Sequence, residues 1–300
     1  MSDNLTLAFI GLGVMGGPMT GHLARAGHTL RAYNRSPDRA AHWQEQWSKE
    51  GLSTATFPTP ADAARDADVV FVCVGNDEDV AEVVLGTDGA LGTMSEGALL
   101  VDHTTTSAAM GRQLGGACAK SGVGFVDAPV SGGQAGAENG QLAVMCGGSE
   151  EAVERARPIM DAYAKAIVHV GPVGAGQTAK MANQMCIAGI LGGLSEAIRL
   201  AQGAGLDIEK TYEAISGGAA QSWQMDNRWA TMTGDEFDFG FAIDWMRKDL
   251  GYALDEAKRL GLSSPITALV DQFYADVQAA GGNRLDTSAL VSRLPKASNS

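Results

Sequence analysis

The sequence predicts an α/β fold in its first half, a doubly wound parallel sheet, and an all-α second half. Up to residue 170, short apolar runs alternate with helical stretches, which is typical of βαβ units. Beyond residue 170 no further strand pattern occurs, and the apolar residues recur with helical spacing. A chain of 300 residues suits two domains of ordinary size. We therefore predict domains at residues 1–170 and 171–300.

The individual elements follow from the spacing of the apolar residues. Strands are predicted where short, largely apolar runs occur, at residues 5–10, 29–33, 69–74, 98–102, 123–126, 142–146 and 167–170. Helices are predicted at residues 15–26, 37–49, 207–216, 241–260 and 265–280.

Two segments of the second half stand out. Residues 175–204 contain no proline and are apolar nearly all round, which predicts a long helix buried along much of its length. Residues 217–227 form a polar and aromatic connection between helices. This connection is either a loop that faces substrate or a turn with a packed tryptophan, Trp223.

Composition excludes several classes of function. The formal net charge of −13 argues against a nucleic-acid partner, because phosphate backbones require a basic face. No apolar run approaches the roughly 20 residues of a membrane span, and the first residues lack the basic and apolar pattern of a signal peptide. The four cysteines show no metal-ligand spacing, so no metal site is predicted. The cytoplasm is the expected compartment.

A glycine-rich turn predicts a dinucleotide site. The segment GLGVMG at residues 11–16 follows the first strand and opens the first helix. Glycines at these places permit a tight turn, close approach of a pyrophosphate, and close packing of helix on strand. The residues expected to line the cofactor here are Gly11, Leu12, Gly13, Val14, Met15 and Gly16.

The end of the second strand favours NADP over NAD. An acidic residue there would accept hydrogen bonds from the adenosine ribose, but this chain has Asn34, Arg35 and Ser36. Arg35 can pair with a 2′-phosphate through its planar guanidinium. Alternatively, Arg35 faces solvent and the protein accepts either cofactor.

Two later strand ends are expected to contact the cofactor. Val74 and Gly75 follow one buried strand, and Thr105 follows the next, at the edge where ligands bind in open α/β sheets. The hydroxyl groups near Thr105 could instead cap the following helix. His103 is a candidate acid, although a lone histidine in this context is more often structural.

Two further segments carry candidate chemistry. Ser131 and the amides of Gly132 and Gly133 could hold a small carboxylate, or could form an ordinary turn. Lys180 and Asn183 lie three residues apart and share one face of the long helix. If that face borders a nicotinamide, Lys180 can exchange a proton with substrate while the cofactor exchanges a hydride.

Taken in order, GLGVMG at 11–16, DAPVSGG at 127–133, GAGQTAKMAN at 174–183 and KDL at 248–250 closely resemble the β-hydroxyacid dehydrogenase family. The resemblance covers about residues 5–294. It implies a Rossmann domain, a long interdomain helix and an all-α domain, commonly assembled as dimers or tetramers. It also implies that Lys180 is catalytic, that residues 131–133 and Asn183 bind substrate, and that Lys248 lies beside substrate and nicotinamide.

The expected function is hydride transfer between NADP(H) and a small 3-hydroxy acid or its semialdehyde, as in 3-hydroxyisobutyrate dehydrogenases. NAD remains possible. The alternatives are a tartronate semialdehyde, succinate semialdehyde or glyoxylate reductase, an imine reductase, and a cofactor-binding module without catalysis. Lys180 argues against an imine reductase, which typically carries another residue there. It also argues against a silent module.

Overall fold

The computed structural model describes residues 4–296, and the chain divides into two compact units after Lys180. The described residues contain nine strands, β1–β9, at Thr6–Ile10, Thr29–Tyr33, Thr54–Thr56, Val69–Val72, Leu99–Asp102, Gly124–Asp127, Val130–Ser131, Leu142–Gly148 and Ala164–Gly171. They contain twelve α-helices, α1–α12, at Gly16–Arg25, Pro37–Ser48, Pro60–Ala64, Asp77–Leu85, Ala108–Lys120, Gly133–Glu138, Glu150–Met160, Ala175–Gly203, Ile208–Ser216, Trp223–Gly234, Ile243–Arg259 and Pro265–Ala279. Two 3₁₀ helices lie at Ala90–Gly92 and Thr287–Arg293.

All nine strands form one sheet in the first unit. The strand order is β3-β2-β1-β4-β5-β6-β8-β7, with β9 beside β8. The strands from β3 to β6 are all parallel, whereas β8 is antiparallel to both β6 and β7. The order 3-2-1-4-5-6 is that of doubly wound dinucleotide-binding sheets, in which a crevice opens at the carboxyl ends of β1 and β4. The predicted fold class is therefore confirmed.

Both faces of the sheet are covered, because successive side chains of a strand point to opposite sides. In β1, Leu7 and Phe9 join one buried cluster with helices α1 and α2, whereas Ala8 and Ile10 join a second cluster with α4 and α5. The other central strands alternate in the same way. This two-sided burial explains why these strands read as continuous apolar runs, and it fixes the carboxyl ends on which the site is built.

Between residues 181 and 296 the second unit is helical, apart from an isolated bridge between Ala242 and Asp286. Its core packs residues of α8 against α10, α11 and α12. None of the helices between residues 4 and 296 combines the length and apolar character that a membrane span requires.

The expected connection at residues 217–227 is only partly correct, because helix α10 begins inside it. The Ser222 hydroxyl accepts a hydrogen bond from the Met225 amide at 3.1 Å and caps the helix. Trp223 is 57% exposed, so the alternative of a packed tryptophan is wrong.

Candidate active site

The three glycines of the turn after β1 differ in how much room their surroundings leave for a side chain. Gly11 has φ +101°, and a Cβ there would overlap the carbonyl oxygen of Cys73. A Cβ on Gly16, at the start of α1, would overlap the carbonyl oxygen of Gly11. A Cβ on Gly13 would meet nothing within 4 Å. Gly11 and Gly16 are thus required by packing, whereas the space beside Gly13 is open.

This open turn fits the pyrophosphate of a dinucleotide. Within the described part of the chain, no side chain caps the N-terminus of α1. The Gly17 amide donates to the Gly13 carbonyl at 2.9 Å, so the amides ahead of it, at residues 13–16, are the ones that can serve an anion. Leu12 is buried, Met15 is half-buried, and Val14 is 66% exposed at the tip of the turn. The backbone therefore presents a surface that a phosphate can approach closely.

Asn34 and Ser36 hold the end of β2 against this turn. The Asn34 Oδ1 accepts from the Leu12 amide at 3.0 Å, and its Nδ2 donates to the Ser36 carbonyl at 3.1 Å. Ser36 caps α2 by accepting from the Arg39 amide. The Arg35 side chain is 77% exposed and pairs with Asp79 at 3.0 Å.

The loops after β4 and β5 are tied to each other. The Val74 amide, next to Gly75, donates to the Thr104 hydroxyl at 3.0 Å. The cap of the following helix α5 is Ser107, which accepts from the Met110 amide. Thr105 is half-buried and is not the cap, so its expected alternative role as a helix cap is wrong.

His103 is structural. It is buried, with Nδ1 at 2.6 Å from the Ala128 carbonyl and Nε2 at 2.8 Å from the Tyr163 hydroxyl. Burial lowers the pKa of His103 to about 4, which keeps the ring neutral near pH 7. We assign it no acid role.

Ser131 ends β7, and Gly132 and Gly133 lead into helix α6. Ser131 is half-buried, and both glycines are exposed. Gly132 and Gly133 have φ +135° and +62°, conformations that favour glycine. Their conformation sets the direction of the two amides that are candidates for holding a small carboxylate.

Lys180 is buried, and the helix that carries it is anchored to the sheet. The two carboxylate oxygens of Asp127, at the end of β6, accept from the amides of Gly174 and Gln177 at 2.7 and 2.9 Å. Asp127 thus caps the start of α8, one turn before Lys180.

A buried glutamine adds a second anchor for the same helix. The Gln177 side chain accepts from the Thr106 amide at 3.0 Å and donates to the Thr104 carbonyl at 2.7 Å. Sequence reasoning missed Asp127 and Gln177, although both lie inside the motifs that it quoted. Their positions in the sequence could have indicated these roles, because Asp127 ends a predicted strand and Gln177 precedes Lys180 by three residues.

Two buried carboxyl groups lie side by side at this edge. Asp102 and Asp127 are paired in the register of β5 and β6, and both are fully buried. Burial raises the pKa of Asp102 to about 7, with a smaller contribution from Asp127. Burial also raises the pKa of Asp127 to about 6, and the amide donors of Gly174 and Gln177 oppose this shift.

In the second unit, Asn183 and Lys248 are connected through two buried side chains. Asn183 donates to Gln184 at 2.8 Å, and Gln184 donates to Asp249 at 2.7 Å. The Lys248 Nζ lies 3.3 Å from the Asp249 carboxylate. It also lies over the rings of Trp245 and Tyr252, 5.6 and 5.5 Å from their centroids.

The described residues, 4–296, contain no group of three or more His, Cys, Asp or Glu side chains that could hold a metal ion.

Two family models match the chain. Residues 6–171 match the NAD binding domain of 6-phosphogluconate dehydrogenase. Residues 174–294 match a model described as NAD-binding of NADP-dependent 3-hydroxyisobutyrate dehydrogenase.

Similar proteins cover nearly the whole chain. An uncharacterized oxidoreductase of Shewanella frigidimarina is 54% identical over 97% of this chain and 98% of its own length. A probable mitochondrial 3-hydroxyisobutyrate dehydrogenase-like protein of Arabidopsis thaliana is 39% identical, with coverages of 99% and 87%. The 2-hydroxy-3-oxopropionate reductase of Escherichia coli is 36% identical, with coverages of 98% and 99%.

A solved structure of 3-hydroxyisobutyrate dehydrogenase from Mycobacterium tuberculosis, with L-serine, is 32% identical. It has a TM-score of 0.87 and covers 96% of this chain and 98% of its own. Together with the glycine turn, these matches define an NAD(P)-dependent oxidoreductase that acts on CH–OH groups. The chain belongs to the β-hydroxyacid dehydrogenase family, as predicted, and family members act on small hydroxy acids.

Substitutions in the glycine turn can separate a glycine that stabilises the fold from one that affects cofactor binding. We expect Gly11→Ala to destabilise the protein by about 2–4 kcal/mol, because φ is positive and the new Cβ overlaps Cys73. Gly13→Ala should change stability by less than about 1 kcal/mol but weaken cofactor binding, because its Cβ enters the open space. Urea unfolding and NADPH titration measure the two effects. Equal loss of stability in both variants would contradict this assignment.

Asp127 predicts a pH-dependent contribution to stability. Its pKa is raised from 3.8 to about 6 in the folded protein, so the unfolded chain loses the proton first as pH rises. The contribution is fully present below pH 3.8 and is lost as pH rises through about 6, a change of about 3 kcal/mol.

The measurement is the free energy of unfolding of wild type and Asp127→Asn, compared by urea titration between about pH 4 and pH 7. The advantage of wild type should shrink over the interval in which Asp127 ionises. A difference that stays constant across this range would show that Asp127 has an ordinary pKa.

Proposed function

We propose that the protein interconverts a small 3-hydroxy acid and its semialdehyde or keto acid, using NADP(H). The observation that carries the proposal is Lys180, a buried amine on a helix whose start is fastened to the cofactor-binding edge of the sheet by Asp127 and Gln177. A lysine that merely faced solvent would need neither the burial nor the two anchors.

The proposed role of Lys180 is proton transfer at the substrate oxygen. A bound nicotinamide supplies hydride acceptance in oxidation and hydride donation in reduction. In oxidation, the neutral Lys180 amine takes the hydroxyl proton as the carbonyl forms. In reduction, the Lys180 ammonium donates that proton and stabilises the negative charge that develops on oxygen. Burial strengthens this interaction, because little water competes with it.

Ser131, Gly132, Gly133, Asn183 and Lys248 are proposed to bind the substrate. The glycine conformations at residues 132 and 133 support a role for their amides in holding a carboxylate. The buried link through Gln184 and Asp249 supports fixed positions for Asn183 and Lys248. A short hydroxy acid offers a carboxylate and a hydroxyl to such donors.

The choice of NADP rests on the end of β2. No acidic residue follows the strand directly, and Arg35 is exposed there. The model matched by residues 174–294 is named for an NADP-dependent enzyme, which supports the same choice. The other proposed cofactor contacts are residues 11–16, Asn34, Ser36, Val74, Gly75, Thr105 and Lys248.

A tartronate semialdehyde reductase is the second candidate, favoured by the 2-hydroxy-3-oxopropionate reductase of Escherichia coli among the similar proteins. A panel of short 3-hydroxy acids and semialdehydes, assayed with both cofactors, distinguishes the two. The better substrate is the one with the higher kcat/KM.

We further propose a homodimer or homotetramer in the cytoplasm. Exposed apolar side chains on α8 and α12, among them Leu200, Ile266 and Leu269, support association of subunits. The four cysteines are free thiols, which is typical of reducing compartments.

Replacing the proposed proton-transfer group tests the mechanism. Lys180→Ala should lower kcat by about 10²–10⁴-fold while the Kd for NADPH changes little. Stopped-flow or steady-state absorbance at the nicotinamide band measures turnover, and fluorescence titration measures binding. The exposed Lys165→Ala is the matched control and should retain wild-type turnover. Near-normal turnover in Lys180→Ala would refute the role.

The cofactor assignment is tested at Arg35. Arg35→Ala should raise the Kd for NADPH by about tenfold or more, because one charge-assisted pair to the 2′-phosphate is lost. The Kd for NADH should stay within about twofold, since NADH has no such phosphate. Titration of both reduced cofactors by fluorescence makes the comparison. Equal changes for the two cofactors would contradict NADP selection by Arg35.

A further inference from the structure

Arg35 has an internal partner that the sequence argument did not include. Its Nη1 donates to the Asp79 Oδ1 at 3.0 Å. Arg35 follows β2 and Asp79 lies in the first turn of α4, after β4. In the sheet, β1 lies between β2 and β4. The ion pair therefore bridges the two loops that flank the carboxyl end of β1, where the glycine turn begins.

We propose that Asp79 weakens the preference for NADP(H) over NAD(H) by competing with the 2′-phosphate of NADP(H) for Arg35. The proposal rests on the proposed pairing of Arg35 with that phosphate. Asp79 lowers the affinity for NADP(H) and leaves the affinity for NAD(H) unchanged. It therefore reduces the difference between the affinities for the two cofactors.

Asp79 is the fixed member of the pair. Its backbone amide donates to the Asn76 side chain at 2.8 Å, which caps α4, and its own side chain is 24% exposed. The Arg35 side chain is 77% exposed. A phosphate that binds Arg35 therefore has to draw the guanidinium away from Asp79, or share it with a carboxylate that stays where the helix holds it.

Both arrangements disfavour the phosphate. A phosphate that takes the Nη1 donor has to displace Asp79, because that group already donates to the carboxylate. If the pair persists, the carboxylate and the phosphate lie on the same cation and repel each other. NAD(H) carries a hydroxyl at this position and requires no cation, so neither effect applies to it.

The effect of the ion pair between Asp79 and Arg35 can be separated from the effect of negative charge at the start of α4. Glu78 lies in the same first turn of α4 and is exposed, and within residues 4–296 it forms no ion pair with Arg35. Glu78→Gln therefore removes the same unit of charge without touching the pair. Asp79→Asn keeps the size of the side chain and the cap of α4, which uses the Asp79 backbone.

The experiment is a fluorescence titration of the intact protein with NADPH and with NADH, at low ionic strength. Asp79→Asn should lower the Kd for NADPH by about fivefold, as expected for loss of one repulsive charge at the surface. The Kd for NADH should stay within about twofold, and Glu78→Gln should have the smaller effect on NADPH. In about 0.5 M salt the gain should shrink, because surface charges are screened.

The background of Arg35→Ala separates this inference from the proposed function. In that background Asp79→Asn should no longer improve NADPH binding, because the guanidinium for which Asp79 and the phosphate compete is absent. If Arg35→Ala weakens NADPH selectively but Asp79→Asn changes nothing, weakens NADPH, or strengthens both cofactors equally, the role of Asp79 is wrong while NADP selection stands. If Arg35→Ala affects neither cofactor selectively, the proposed function fails at this point, and the inference fails with it.

Discussion

The position of Lys180 depends on the hydrogen bonds between the Asp127 carboxylate and the amides at the start of helix α8. The start of a helix leaves amides without partners, and here two of them are satisfied by a side chain from the end of β6. Gln177 then ties the same turn to the loop after β5. The sheet thus sets the position of Lys180, and its amine is held in place for any proton transfer.

The same edge of the sheet concentrates buried polar groups. Thr104, Asp127 and Gln177 are buried there. The Gln177 amide donates to the Asp127 carboxylate, and the Gln177 side chain donates to the Thr104 carbonyl. Buried polar groups are tolerated where they are hydrogen-bonded, and a connected network specifies one arrangement. In the second unit, Gln184 and Asp249 connect Asn183 with Lys248 in a similar way.

The sequence predicted the fold well because two-sided burial gives the central strands continuous apolar runs, as in Val69–Val72. It missed β3 at Thr54–Thr56, which is short and half-buried, and it missed the start of α10 behind Ser222. The proposed site residues were found through motifs, but their supports were not. Asp127 and Asp79 act through partners distant in sequence, Gly174 and Arg35, and such pairings depend on the folded topology.

The different constraints on the three glycines bear on how this motif is interpreted in other chains. Gly11 and Gly16 would be retained by any descendant that keeps the strand-to-helix turn, whether or not it still holds a nucleotide. Only Gly13 is free of internal steric demand among the three. A relative that keeps Gly11 and Gly16 but carries a side chain in place of Gly13 is therefore expected to retain the fold of the turn and to bind a dinucleotide less well.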